Sequence, residues 1–454
     1  MKRVFLLIFL AIAASSSALA QAPCTGIYCG DIGTYGWVQN PLIESDNNWV
    51  EDYRFKFVRG VISMDFDAFM DKSIDLYGGK INLIPVINKE STGEILDIGK
   101  KWAEISKNPP RQGYNVIEIS LDDWIELYFQ IGLRRNNEFD SDLSERKMLD
   151  IINGIHEINP NLPFGVTIYE DELGLDSRNS FFRNERKDYS KCVRCSGSSS
   201  ASSFVCSECS GCCIEKVPFE IPNSVLDKID VVHLYFHQRL NSVRVKDYLD
   251  IVKSKFPNAE IVLGQYIWGT FSVNYEKRGY AYNLNEEEAF AAFQDSVIQT
   301  CNLMKKGRVN GFEIYPSVFE FPAQYSFLGQ DDIESAIAYR DFALDVLKND
   351  CVPSDKFYDH KSFLRGDANQ DEVFDISDEL YILGYLFVDG MEKPTCLDAL
   401  DSDDSGVIDL TDGIYLLNWL FQGDKLPLPP NLETGIGHDW TPDGLSCESY
   451  KKSR

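Results

Sequence analysis

Between residues 57 and 347, short apolar runs rich in β-branched and aromatic residues alternate with stretches of helical periodicity. The strand-like runs are residues 57–63, 81–88, 115–121, 164–169, 230–237, 260–267 and 311–315. Between them Ile95, Ile98, Trp102 and Ile105 fall on one helical face, and so do Phe290, Phe293, Val297 and Met304. Asn285, with Glu288 three residues on, has the pattern of a capping box. Ile333, Ile337, Leu344 and Leu347 mark a last helix. Strand and helix alternating over this length predict a parallel sheet covered by helices. Seven units are legible, and residues 26–38 supply an eighth strand, so the expected fold is α/β, a (β/α)8 barrel over residues 21–348. An open doubly wound sheet is the rival, but no Gly-rich phosphate loop follows any strand.

Two segments break the rhythm. Residues 171–218 read as a loop-like insertion carrying SGSSSASS and six cysteines, and residues 349–362, with Pro353, read as a linker. A repeat follows. Asp367, Asn369, Asp371, Asp375 and Asp378 place side-chain oxygens at positions 1, 3, 5, 9 and 12 of a loop, with the carbonyl of Val373 at position 7. Asp401, Asp403, Ser405, Val407, Asp409 and Asp412 repeat the arrangement 34 residues later. Hard cations such as calcium take six or more oxygens at about 2.3–2.6 Å, which this alternation can wrap around one ion. The offset continues beyond the ligands. Leu380, Leu383, Leu386 and Phe387 map onto Ile414, Leu417, Leu420 and Phe421, predicting two amphipathic helices that bury each other's faces. Phe374 and Ile408 are expected to turn inward and pair the loops. Acidic solvated turns would not reproduce both ligand spacing and helix register.

These loop–helix repeats resemble a type I dockerin, a small all-α module, over residues 363–450. The resemblance implies two calcium sites built from the twelve loop residues just named, and a cohesin-like or cell-surface partner. Glu372 stands at the sixth position, where the family usually has Gly, and position 12 is Asp. Residues 431–450, with Cys447, extend beyond the minimal motif.

Net charge is −27, and removal of the two cations Lys2 and Arg3 makes it −29. Such a surface repels phosphate backbones and anionic lipid, which excludes nucleic acid as a partner. Lys2 and Arg3, an apolar run over residues 4–14, and Ala18 and Ala20 two apart predict a signal peptide cut before Gln21. The run is too short to span a bilayer and no later one is long enough, so the mature chain is expected to be secreted or periplasmic, with no membrane span. In an oxidising compartment the twelve cysteines default to disulfides, Cys24–Cys29 and Cys396–Cys447 first. Cys192, Cys195, Cys206 and Cys209 have zinc-knuckle spacing, but adjacent Cys212 and Cys213 exceed what zinc needs, and a disulfide-stapled loop is favoured.

In a barrel the working face lies at the strand C-termini. Glu118, Ser120 and Asp122 share parity on NVIEISLDDW, with Trp124 at its exit, and Glu170 follows the next strand. His233, Tyr235 and His237 share parity, followed by Gln265 and Trp268, then Glu313 and Tyr315. Paired carboxylates among aromatics suit glycosidic-bond chemistry, one acid protonating the leaving oxygen and another acting as nucleophile or base. The candidate catalytic residues are Asp122, Glu170 and Glu313. The candidate polysaccharide-binding residues are Trp124, Tyr235, His237, Gln265, Trp268 and Tyr315. Glu118 and Glu313 sit within apolar strands, where a buried charge is costly.

Secretion, barrel and repeats together resemble a modular glycoside hydrolase, and the barrel resembles the TIM-like chitinase barrels. NVIEISLDD matches their alternating acidic fourth strand, with Asp122 at the catalytic position, where the family has Glu, and Glu118 and Ser120 where it has Asp. A non-catalytic carbohydrate-binding or surface-structural protein on a degenerate barrel is the alternative. A metal-dependent hydrolase would have to use His233 and His237 without an evident third ligand.

Overall fold

A computed structural model describes residues 28, 31–37, 57–61, 81–87, 95–109, 114–134, 139–173, 183–187, 214–218, 221–236, 242–266, 286–315, 330–354, 356–357, 361–441 and 443–450. The strands are β1 (Asp31–Trp37), β2 (Phe57–Val61), β3 (Ile81–Ile87), β4 (Tyr114–Val116), β5 (Ile119–Leu121), β6 (Phe164–Tyr169), β7 (Arg183–Lys187), β8 (Ile214–Pro218), β9 (Val231–Phe236), β10 (Glu260–Tyr266) and β11 (Gly311–Tyr315). The helices are α1 (Ile95–Lys107), α2 (Trp124–Ile131), α3 (Ser141–Ile158), α4 (Glu170–Leu173), α5 (Asn223–Leu226), α6 (Val245–Lys255), α7 (Glu286–Lys305), α8 (Gln330–Lys348), α9 (Ile376–Phe387) and α10 (Leu410–Gln422).

All strands except β7 and β8 form one curled parallel sheet, in the order β2–β1–β11–β10–β9–β6–β5–β3–β4. A β2–β3 pairing, Phe57 opposite Asn82, brings the two ends together, so the sheet returns on itself. The predicted parallel α/β architecture is therefore present, with every expected strand run occupied. The fourth run is split at Ile117 and Glu118, where Ile117 N–H turns to Leu83 C=O and Ile119 N–H to Pro163 C=O. The 171–218 insertion contains an antiparallel pair, β7 with β8, which frames its cysteines. Those cysteines, Cys24–Cys29 and Asn285 lie outside the described residues.

Outside the sheet, Val166, Ile168, Val232, Leu234, Ile261 and Leu263 face helix side chains such as Trp102, Ile152, Leu249 and Val252 in one buried core. A second core joins β11 to α7 and α8, with a Cys301–Cys351 disulfide at its end. Asp140 caps α3 by accepting from Leu143 N–H at 3.1 Å, which satisfies a donor the first helical turn would otherwise leave open.

The C-terminal module has its own core, Ile382 of α9 and Leu416 of α10 packing with Phe363, Leu400 and Tyr450. Phe374 and Ile408 turn inward onto it, as expected. The expected Cys396–Cys447 disulfide is present. The helix faces differ from the expectation. Leu380 and Phe387, with their repeat partners Ile414 and Phe421, point to solvent instead of burying each other, because both helices are apolar on two sides and Ile382 and Leu416 take the inner one. The segment beyond α10 straps this module to α7. Asp295 accepts from His438 N–H (2.9 Å), His438 Nδ1 (3.0 Å) and Trp440 Nε1 (2.8 Å), and Lys246 pairs with Glu433 at 2.6 Å.

Candidate functional site

Alternation along a strand sends every second side chain to the inside of the curled sheet, and the inward residues form three tiers. At the N-terminal end Phe57, Ile84, Val231 and Val262 pack with Tyr28, whose ring meets Phe57 edge-on at 4.9 Å.

The middle tier is charged and sealed. Arg59, Glu118, His233 and Glu313 are all 0% exposed. His233 bridges the two carboxylates, Nε2 to Glu118 Oε1 and Nδ1 to Glu313 Oε1, each at 2.9 Å. Arg59 donates to Glu313 Oε1 at 3.3 Å, to Ser120 Oγ at 3.0 Å and to Thr167 Oγ1, while the Tyr28 hydroxyl donates to Glu118. A protonated imidazole donates from both ring nitrogens, so His233⁺ and Arg59 balance the two glutamates. Burial and the Arg59 charge pull the His233 pKa down, but Glu118 and Glu313 outweigh them and leave it above 6.5. Burial pushes Glu313 up, but His233, Arg59 and the Tyr235 hydroxyl overcome it and hold its carboxyl below the ordinary value. Burial, with Glu118 beside it, raises the Tyr28 hydroxyl well above 10.

Two glycines make room for this arrangement. A Cβ on Gly165 would lie 1.7 Å from Glu118 Oε1, and one on Gly264 would lie 2.2 Å from the Tyr235 ring. Neither position tolerates a side chain without displacing a tier residue.

The third tier lies at the strand C-termini and is aromatic. Tyr169, Tyr235, Tyr266 and Tyr315 form an arc, with neighbouring ring centroids 6.3, 5.7 and 5.1 Å apart. Tyr235 is buried and the other three are half-buried. The Tyr169 hydroxyl donates to Asp122 Oδ1 at 3.2 Å, which places Asp122 at the end of the arc. The next residue, Asp123, takes the left-handed φ of 48° at the position just before α2. That backbone turns the chain sharply away from the mouth.

The candidate residues are thus partly brought together. Asp122, Tyr235 and Tyr315 share the mouth, and Glu313 lies in the charged tier beneath it. Glu170, 1% exposed, opens α4 directly after Tyr169. Trp124 is elsewhere: fully buried, it packs near Phe256 at 6.1 Å in the core outside the sheet. Gln265 also faces outward, donating to Ser296 Oγ of α7 at 2.5 Å, because Gly264 and Tyr266 hold the inward parity. His237 and Trp268 lie outside the described residues. His233 has both ring nitrogens engaged by glutamates, which leaves none to ligate a metal. Sequence reading missed Arg59, Tyr169 and Tyr266; an arginine inside the apolar run FVRGV and tyrosines in phase with Thr167 and Gly264 were the available signals.

The two C-terminal loops share one geometry. Asp367 accepts from the N–H groups of Asp371 (3.1 Å) and Glu372 (2.9 Å), and Asp401 from those of Ser405 (3.0 Å) and Gly406 (2.8 Å). Asp375 with Asp378, and Asp409 with Asp412, form capping boxes that start α9 and α10. Glu372 adopts φ 64°, close to the 77° of Gly406 at the same loop position. Asn369 donates to Asp371 at 3.0 Å, and the carbonyl positions are held by Val373 and Val407. In loop 2 oxygens of Asp401, Asp403 and Asp412 lie within 4.8 Å of one another. Burial pushes Asp378 and Asp412 up to about 7.

The solvent-facing apolar residues of the module also obey the 34-residue offset. Val373, Ile376, Leu380 and Phe387 are 53, 49, 59 and 70% exposed, and their counterparts Val407, Leu410, Ile414 and Phe421 are 58, 49, 46 and 70% exposed. Among the described residues no helix is long and apolar enough to cross a membrane.

No family model matches the chain, and no curated protein does. Among solved structures the chain is similar to an exo-β-1,4-mannosidase from Opitutaceae bacterium strain TAV5, with TM-score 0.39 and 11% identity over 78% of this chain and 67% of that one. It is also similar to a xylanase from Cellvibrio japonicus, with TM-score 0.38 and 9% identity over 69% and 97%. A third similar structure is an active domain of a chitinase from Pyrococcus furiosus, with TM-score 0.36 and 11% identity over 65% and 86%. Likeness at this level carries no weight for activity or substrate.

Proposed function

We propose that the chain is a secreted, glycoside hydrolase-like protein that acts on a polysaccharide at the mouth of a (β/α)8 barrel. The observation that carries this reading is the arc of Tyr169, Tyr235, Tyr266 and Tyr315 ending at Asp122. Tyrosine faces stack on the C–H faces of sugar rings while their hydroxyls bond the ring substituents. Asp122 is then the acid that meets the glycosidic oxygen. Hydrolysis needs a second carboxylate, and Glu170, leaving the next strand, is the nearest in the fold's order. Glu313 is held by Arg59 and His233 and steadies Tyr235 from below, which makes it a positioning residue in this reading. Replacing Tyr266 or Tyr315 with alanine is expected to weaken retention on a bound polysaccharide about tenfold, roughly 1.4 kcal/mol. Affinity electrophoresis against a polysaccharide panel measures this. Unchanged retention of both variants on every retained polymer would place binding elsewhere.

One observation favours the alternative, a non-catalytic carbohydrate-binding protein. Glu118 and Glu313, the two buried acids below Asp122, are consumed by His233. Binding without turnover is the result that would select it.

In the same proposal residues 1–20 direct export, and residues 363–450 form a dockerin-like module holding two calcium ions. Loop 2 fits the ion: its three carboxylates converge, and the buried Asp403 Oδ1 has no hydrogen-bond partner. Asp367, Asn369, Asp371, Val373, Asp375 and Asp378 would hold the other ion in loop 1. The repeated apolar surface on α9 and α10 would be the face offered to a cohesin-like partner, where either repeat presents the same residues.

A further inference from the structure

A further group of carboxylates gathers where the segment after α10 folds back beside loop 2, and it adjoins that loop through Asp443, an oxygen of which also lies within 4.8 Å of oxygens of Asp401 and Asp404. One oxygen each from Asp398, Asp439 and Asp443 lies within 4.8 Å of the other two. None of these residues belongs to either loop. Oxygens that share one calcium at about 2.3–2.6 Å can be at most about 5 Å apart, so this spacing fits a common ion. The backbone fixes the group: the Cys396–Cys447 disulfide and the Leu397 N–H bond to Ser446 C=O (2.9 Å) hold Asp398 against the turn that carries Asp443. That turn is set in its own right, Asp443 accepting from Leu445 N–H at 2.7 Å and Asp439 from Thr441 N–H at 2.9 Å.

The second observation is the state of Asp398. It is 4% exposed, and its Oδ1 is buried with no hydrogen-bond donor. A carboxylate oxygen sealed from water without a donor is costly unless a cation meets it. The guanidinium of Arg365 borders the group: it pairs with Asp439 (3.0 Å), with Asp404 (2.9 Å) and with the Asp401 carbonyl (3.0 Å), but gives no hydrogen bond to Asp398 Oδ1.

We propose that Asp398, Asp439 and Asp443 form a third divalent-cation site, for calcium by the all-oxygen donor set, outside both repeat loops. Its ion ties the C-terminal segment to the start of loop 2. Because that segment also binds Asp295 of α7 through His438 and Trp440, the ion helps set how the module sits on the barrel.

Native mass spectrometry of the full chain, stripped with chelator and resupplied with calcium alone, counts the ions. Asp443→Asn is expected to carry one ion fewer than wild type, and so is Asp398→Asn. Asp443 is exposed and asparagine keeps its bond to Leu445 N–H, so that variant folds even where Asp398→Asn does not. Asp367→Ala reports loop 1 and Asp412→Ala reports loop 2; Asp443→Asn combined with Asp412→Ala should carry one ion fewer than Asp412→Ala alone, so failure of either loop site leaves the comparison intact. Equal ion counts in wild type and Asp443→Asn would overturn the third site.

Discussion

Replacing His233 with alanine is expected to destabilise the barrel by about 3–5 kcal/mol. The substitution removes the one group that both buried carboxylates share. Glu118 and Glu313 would keep Tyr28 and Arg59 as partners, but the charge between them would be gone and a side-chain-sized void would remain. Removing one member of a buried ionic network costs far more than the network's net contribution, because the desolvated partners stay behind. The pH dependence has a definite sign. His233 titrates above its ordinary 6.5, so its contribution is complete below pH 6.5 and is lost as pH rises through the raised value. Glu313 titrates below its ordinary 4.5, so its contribution is complete above pH 4.5 and is lost as pH falls through the depressed value. Stability from this tier is therefore greatest between about pH 4.5 and 6.5, and His233→Ala should lose the alkaline decline. Denaturant unfolding across pH measures both effects. A variant within about 1 kcal/mol of wild type would mean that the tier is not the charged unit described.

Calcium removal should melt residues 363–450 while leaving the barrel folded. The module's core is small, built around Ile382, Leu400 and Leu416, and each of its helices begins at a carboxylate assigned to a loop. A domain of this size needs staples beyond its core. The proposed ions supply them, each adding about 4 kcal/mol when free calcium exceeds Kd a thousandfold. Without them Asp401, Asp403 and Asp412 repel one another at close range. The Cys396–Cys447 disulfide keeps the segment cross-linked, but α9 and α10 unravel from their first turns onward. Circular dichroism with chelator should show a loss of helix and disappearance of one melting transition. An unchanged spectrum and melt would refute the ligand assignment.

The parallel sheet was legible because each strand is a short apolar run bounded by turn residues, and the helices because their apolar positions recur on one face. The charged tier was half legible. Glu118 and Glu313 stand out as acids within apolar strands, whereas their partner Arg59 comes from a run more than fifty residues before Glu118, and only ring closure brings it across. Parity decided the other cases. Trp124 follows two rim aspartates in sequence, but the left-handed turn at Asp123 sends it outward into the helix layer. Gln265 lies between two inward positions, Gly264 and Tyr266, and so faces α7. The repeat helices misled for a different reason: with apolar residues on two sides, periodicity alone does not say which side the core takes. Residues 431–450, outside the repeat motif, prove to be the strap onto α7, a role set by tertiary contacts such as Asp295 to His438.

The most direct test is release of reducing ends from a polysaccharide panel by the chain with calcium present, beside the variant Asp122→Asn. Asp122 lies at the mouth, bonded to Tyr169, and the substitution conserves its shape. Turnover of one polymer class by wild type is expected, with a loss of at least a hundredfold in the variant, the scale of a lost general acid. Turnover that survives in Asp122→Asn, or no turnover of any polymer by wild type, would overturn the catalytic reading, and binding without turnover would select the non-catalytic protein.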